Sequence, residues 1–166
     1  MEAILNRRSI RKYTDQPIHD RVIRDLLEAA MCAPSAGNER PWHFIVIRDR
    51  DTLRKIPQFH PYANMLPGAA AAILVCGDPE KEKHTGCWVQ DCSAATENLL
   101  IAAQHKNLGA VWLGVYPVEE RINGLREVTG VPENIVPFAL VALGYPAEKK
   151  PVYDRYDESR VRQEKW

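Results

Sequence analysis

Apolar residues recur along this chain in short blocks whose spacing switches between helical and extended. Asp20 is expected as an N-cap, and behind it Val22, Ile23, Leu26, Leu27 and Ala30 follow one face of a helix running to about Ala33. Pro34-Ser35-Ala36-Gly37-Asn38 then breaks it with strong turn chemistry. Trp42, Phe44, Ile45, Val46 and Ile47 make Pro41 to Arg48 a strand, and a short helix should start near Asp51 and end before Pro57. Ala70 to Cys76 reads as a second, buried strand.

The longest helix is expected from about Cys87 to Lys106. Val89, Cys92, Thr96, Leu99 and Ala103 form one stripe, and Trp88, Ala95, Leu100 and Ala102 spread the apolar surface around the cylinder. A helix apolar on most sides is buried on most sides, so it is either central or a subunit interface. Gly109 to Tyr116 gives a third strand, Val118 to Val128 a helix, and Ile135 to Leu143 a fourth strand. This order describes a layered α/β or α+β domain whose strand directions the pattern leaves open. The tail from Tyr145 to Trp166 has little periodicity but carries Tyr153, Tyr156 and Trp166 among its charges. Aromatics are scarce in disordered tails. An extended arm lying on another surface, such as a partner subunit, is preferred over a frayed terminus.

At 166 residues the chain fits one domain with a hydrophobic core. Its 22 basic and 22 acidic residues cancel, so no overall field draws it to nucleic acid or an acidic membrane. Any anion must be held by a local cluster. The longest strongly apolar run, Gly68 to Gly77, falls well short of the ~20 residues that cross a bilayer. No apolar signal-peptide core follows the early charges, which favours the cytoplasm.

Cys32, Cys76, Cys87 and Cys92 show neither a CxxC pair nor zinc-ligand spacing, and four reduced, mostly packed thiols are expected. His19, His43, His60, His84 and His105 are scattered and read as surface or packing residues, so no metal site is expected. GxGxxG, Walker, HExxH and GxSxG motifs are all missing.

Charge is dense near the start, where Arg7, Arg8, Arg11 and Lys12 surround Ser9. Guanidinium pairs and a hydroxyl suit a phosphate, although on composition alone a solvated basic turn is the simpler reading. The small residues of Pro34 to Asn38 would let backbone approach a flat ligand, or merely connect helix to strand.

Together these segments carry a specific resemblance. RRSIRKY at 7–13 followed by APSAGNERPWHF at 33–44 closely resembles the nitroreductase family of flavoproteins. NLGAVWLGVYP at 107–117 and ALVALGYPAEKKP at 139–151 agree with it in order, so the likeness covers nearly the whole chain. It implies an α+β sandwich: an antiparallel-dominated central sheet flanked by helices, in a single domain spanning 1–166. It further implies an intertwined homodimer with FMN at the interface, the long helix packed on its twin, and residues 145–166 as an arm contacting the partner.

By position in the family motif, Arg7, Arg8 and Ser9 should grip the FMN phosphate and nearby ribityl oxygens. Arg11 should sit at the pyrimidine edge, where a cation stabilises charge on the reduced flavin. Pro34, Ser35 and Ala36 match the loop that lies on the flavin from the other subunit, and Asn38 is either a contact or a structural residue of that loop. Leu113 and Gly114 match the segment whose backbone approaches flavin N5. Arg155 looks like the cation completing the phosphate site, with Lys150 its competitor. Arg40 departs from the pattern, standing where a glutamine is common, and the stretch from Arg54 to Thr85 leaves little room for a substrate-selecting lid.

The implied reaction is ping-pong electron transfer from NADH or NADPH through FMN to a small oxidant such as a nitroaromatic or quinone, with no catalytic side chain required. The alternatives are a specialised flavoenzyme of the same fold, either a reductive dehalogenase or a flavin-consuming enzyme, and a non-catalytic flavin-binding protein. Were the likeness accidental, a generic phosphate binder built on Arg7, Arg8 and Arg11 would remain.

Overall fold

A computed structural model describes residues 1–166. A short helix α1 (Glu2–Asn6) precedes α2 (Asp20–Met31), β1 (Trp42–Ile47), α3 (Arg50–Lys55), β2 (Ala71–Gly77), α4 (Cys87–His105), β3 (Gly109–Gly114), α5 (Glu119–Thr129) and β4 (Val136–Gly144). The four strands form one sheet in the order β1-β2-β4-β3, and every pairing is antiparallel. This settles the class as α+β with an antiparallel sheet.

Alternation along the strands explains the two layers. Ala72, Leu74 and Cys76 of β2, with Leu140 and Ala142 of β4, face a core completed by Leu53, Ile56, Ile122 and Leu125. Ala71 and Ile73, with Val141 and Leu143, face Leu26, Ala30, Leu99 and Ala103 from α2 and α4. Side chains of a strand point alternately to opposite faces. A middle strand covered on both faces therefore reads as an unbroken apolar run, and every residue of β2 is buried.

The long helix is central within a single subunit. Trp88, Cys92, Ala95, Thr96, Leu99, Leu100 and Ala103 of α4 are buried, and Val89, the first residue of the expected stripe, is half-buried. Cys76 and Cys92 are buried free thiols, and burial pushes both up to about 12. They are inert packing groups, whereas Cys32 is exposed and Cys87 half-buried.

Several boundaries differ from expectation. His19 is the N-cap of α2, while Asp20 is its first helical residue and pairs with Arg48. The helix stops at Met31 rather than Ala33. β3 ends at Gly114 rather than Tyr116, although Tyr116 N–H still donates to the Phe138 carbonyl at 3.0 Å before the chain turns into α5. Helix α1 buries no residue, so no apolar periodicity announces it.

At Ser9 and Ile10 the N-terminal segment touches the free edge of β3, and by Tyr13 it bridges Pro146 instead. Ser9 bridges Ala110 in parallel, and the Ile10 N–H donates to the Ala110 carbonyl at 3.0 Å. The stretch after β4 closes on this same segment. Thr14 N–H donates to the Tyr145 carbonyl at 2.9 Å, and Ala147 N–H to the Lys12 carbonyl at 2.9 Å. Tyr145 to Lys150 is thus part of the body, and the fully exposed stretch begins at Pro151.

Candidate functional site

The N-terminal edge segment links two surface hollows. At its start lies a depression of about 500 Å³ lined by Leu5, Arg7, Arg8, Tyr153 and Arg155. At its end lies a cleft of about 500 Å³ lined by Arg11, His60, Asn64, Leu113 and Gly114, with Tyr62 at its mouth. Extended backbone from Arg7 to Arg11 covers roughly 13 Å.

The depression is strongly basic. Arg7 Nε is 3.3 Å from Glu97 on α4, a partly exposed pair. Arg8 is held more firmly: its Nε donates to the Pro151 carbonyl at 2.8 Å, and its Nη1 to the Leu5 and Arg7 carbonyls at 2.9 and 2.6 Å. Its Nη2 is buried with no partner. An unsatisfied buried donor on a cation is costly, and this one belongs to a residue that lines the depression. Arg155 lines the same hollow. Lys150 does not; its Nζ donates to the Ser9 carbonyl at 2.6 Å and lies 3.7 Å from Glu148. Ser9 shares that bond and the bridge to Ala110.

In the cleft, Arg11 is fixed through its backbone. Its N–H donates to Glu148 Oε1 at 2.6 Å, and that contact is the main reason the Glu148 carboxyl sits below the usual range. The Arg11 side chain is exposed and lines the cleft. Gly114 ends β3 at the free side of the sheet. A Cβ built there would meet no atom within 4 Å, and its φ lies outside the left-handed region. Neither strain nor crowding within the chain calls for glycine, so the space it leaves belongs to the cleft.

Gly114 also shows which way its amide faces. Ala110 turns its carbonyl outward to Ile10, away from β4. Backbone groups alternate in direction along a strand, so the N–H and carbonyl of Gly114 face outward too. That carbonyl accepts from His60 Nε2 at 2.9 Å and from Arg121 Nη1 at 2.8 Å.

Pro34, Ser35, Ala36 and Asn38 line neither hollow. Their loop is built on α4 and on its own turn. Ala36 N–H donates to Asp91 Oδ1 at 3.0 Å, and Ser35 Oγ accepts from Arg40 N–H at 3.0 Å. Asn38 and Arg40 adopt positive φ of 57° and 50°, uncommon for residues with a side chain. These bonds define the shape of the loop, and its Pro34 is exposed.

Sequence reasoning missed five contributors. His60, Tyr62 and Asn64 come from the turns before β2, where no periodicity marks them, and Arg121 reads as an ordinary basic residue of α5. Asp91 carried a legible signal, an acid next to Cys92 of the apolar stripe of α4. It is buried, with Oδ1 on the loop and Oδ2 without a partner.

Comparison with known proteins follows this geometry closely. The family model described as "Nitroreductase family" matches residues 4–60 and 58–145. A protein of Archaeoglobus fulgidus, provisionally named an NADH dehydrogenase/NAD(P)H nitroreductase, is 55% identical over 170 residues, covering 100% of this chain and 98% of that protein. A crystal structure from Clostridium acetobutylicum, provisionally an NADH oxidase, superposes with TM-score 0.94 at 45% identity over 99% of both chains. Another, from Desulfovibrio desulfuricans, is described as a nitroreductase in complex with FMN, again provisionally. It gives TM-score 0.85 at 34% identity, over 99% of this chain and 96% of that one. With the family pattern running from the basic N-terminal segment through the last strand, this chain belongs to the nitroreductase family.

Proposed function

We propose that this protein is an FMN-dependent oxidoreductase that takes electrons from NADH or NADPH and delivers them to a small oxidant such as a nitroaromatic or quinone. The observation that carries the proposal is the position of the two hollows at either end of one N-terminal segment, from the guanidinium groups of Arg7, Arg8 and Arg155 to a cleft left open by the missing side chain of Gly114. A phosphate-bearing ligand with a flat ring and a flexible linker fits that order of groups.

Bound FMN supplies hydride acceptance and onward electron transfer, with donor and oxidant using one open face in turn. The chain's own residues bind and orient. Arg7, Arg8 and Arg155 hold the phosphate, with Ser9 beside it. Arg11 places positive charge where the reduced ring gathers negative charge, which favours reduction. Gly114 presents backbone to the ring, Leu113 lines the cleft beside it with its own backbone turned to β4, and Asn64 offers an amide from the lining. No acid or base is needed. Purified holoprotein should be yellow and should bleach when NADH or NADPH is added without oxygen. Colourless protein that FMN cannot reconstitute would refute the reading. Bound FMN that both nucleotides leave oxidised would point instead to a specialised flavoenzyme.

The functional unit on this reading is a homodimer in which Pro34, Ser35, Ala36 and Asn38 of one subunit close over the cleft of the other. Two facts support it. The loop lines neither hollow of its own subunit, and Tyr153, Tyr156 and Trp166 stand exposed on the stretch after Pro151. Exposed aromatics carried on one arm suit a surface that another protein covers. Truncation before Tyr153 should weaken dimerisation about tenfold or more, seen by sedimentation at decreasing concentration, and should speed FMN loss. An unchanged, fully loaded dimer would remove the arm from the interface.

A further inference from the structure

Two side chains from different parts of the chain converge on one backbone oxygen at the cleft. His60 Nε2 and Arg121 Nη1 lie 2.9 and 2.8 Å from the Gly114 carbonyl. A carbonyl only accepts, so His60 carries its proton on Nε2. The ring is fully buried, and its Nδ1 has no partner. Burial, helped by the nearby Arg121 cation, lowers the His60 pKa and keeps the ring neutral. Arg121 in turn lies 5.5 Å from the Tyr62 ring centroid, and Tyr62 stands edge-on to His60 at 6.5 Å. The three side chains form a bracket around a single carbonyl.

Such a bracket is unusual equipment for a strand end. An exposed carbonyl is satisfied by water, whereas fixing an arginine and burying a histidine costs conformational entropy and desolvation. Gly114, however, has no side chain to pack, and beyond its register with Ala139 no atom stands where a Cβ would anchor it. Its amide faces the same side as the clamped carbonyl, so fixing one aims the other.

We propose that His60 and Arg121 are positioning residues that clamp the Gly114 carbonyl so that the Gly114 N–H is held toward the ring of FMN in the cleft. This rests on the flavin reading of the site. A donor aimed at N5 favours the oxidised ring, whose N5 lone pair accepts, over the reduced ring, whose N5 carries hydrogen. A loosened clamp therefore raises the midpoint potential of the bound cofactor, while the distant phosphate contacts keep FMN in place.

The test uses FMN-loaded full-length protein and the variants H60M, H60Q, R121M and R121Q. Midpoint potentials are measured anaerobically against redox dyes, and affinity for oxidised FMN by fluorescence titration. H60M should raise the potential by about 30 mV, a tenfold change in relative affinity for the two redox states in a two-electron couple. Loss of the Arg121 cation itself disfavours reduction, so the clamp is read there as the difference between R121M and R121Q, equal in charge, with R121M the higher by about the same amount. H60Q and R121Q keep a donor, and oxidised FMN should bind H60M and R121M up to about tenfold more weakly than the matching donor variant, because the lost bond belongs to the oxidised state. Arg121 lies outside the core, so the R121M and R121Q pair carries the test even where H60M does not fold. Unchanged potentials with FMN still bound would overturn the clamp alone. Equal shifts in the conservative variants would overturn it too, by marking a packing role. Unmodified protein unable to bind FMN would overturn the flavin reading and this inference with it.

Discussion

Gly114→Val should yield a protein as stable as the original that has lost most of its affinity for FMN. Within the chain nothing opposes the change. An added Cβ finds open space, φ is ordinary, and β-branched residues suit a strand. The stability change should stay within about 0.5 kcal/mol, as for surface substitutions away from special features. With FMN bound, the same side chain would occupy the volume the ring needs. Overpacking of a close-fitting site costs about 1–3 kcal/mol, or roughly tenfold to a hundredfold in affinity, and more where the backbone cannot yield. The double clamp on the Gly114 carbonyl makes yielding difficult.

Gly109→Ala, on the same strand, provides the contrast. A Cβ there would stand 2.6 Å from the Ile10 side chain, so this variant should lose stability by about 1–3 kcal/mol. Thermal melts of both variants, paired with FMN titrations, separate the two kinds of glycine. A destabilised Gly114→Val protein, or one that binds FMN normally, would contradict the placement of the ring.

The contrast also shows what the sequence made legible. Periodicity located all four strands and the four longer helices, because each buries a face that leaves a mark in the pattern. It could not locate α1, which buries nothing, or place the cap of α2 on His19, whose side chain makes no capping bond. Strand direction was equally hidden, since the unbroken apolar run of β2 is what burial on both faces produces in either orientation.

The site was legible in part, and for a different reason. Arg7, Arg8, Ser9 and Arg11 lie on one continuous segment, so their likeness to the family motif survives in the linear sequence. His60 and Arg121 meet at Gly114 only through the fold, and neither sits in a motif of its own. Arg155 and Lys150 are indistinguishable as cations. Their surroundings differ in the fold: Lys150 is bonded to the Ser9 carbonyl and lies near Glu148, in a hollow it shares with Arg8, whereas Arg155 lines a hollow with both Arg7 and Arg8. Asp91 is intermediate: an acid next to the apolar stripe of α4 is noticeable, but its task of holding the Ala36 amide is visible only in three dimensions.

If Arg155 completes the phosphate site, removing it together with Arg7 should discriminate sharply between two ligands. The R7A/R155A protein should bind FMN on the order of a hundredfold to a thousandfold more weakly, since each hydrogen bond to a charged group contributes about 1.5–3 kcal/mol. Riboflavin, which has the same ring and ribityl chain but no phosphate, should bind both proteins with nearly equal affinity. The fold should tolerate the change. Arg155 is exposed, and the partly exposed Arg7–Glu97 pair contributes at most about 1 kcal/mol. Arg8 is unsuitable for this test, because three backbone carbonyls depend on its Nε and Nη1 and its loss would loosen the junction with Pro151. The affinity gap between FMN and riboflavin in the original protein should shrink as salt is added, because part of it comes from solvent-accessible charges that ions screen. Parallel losses for FMN and riboflavin would mean that these arginines act on the ring or on the fold. FMN affinity left intact would place the phosphate elsewhere, and the basic N-terminal segment would then revert to a solvated turn.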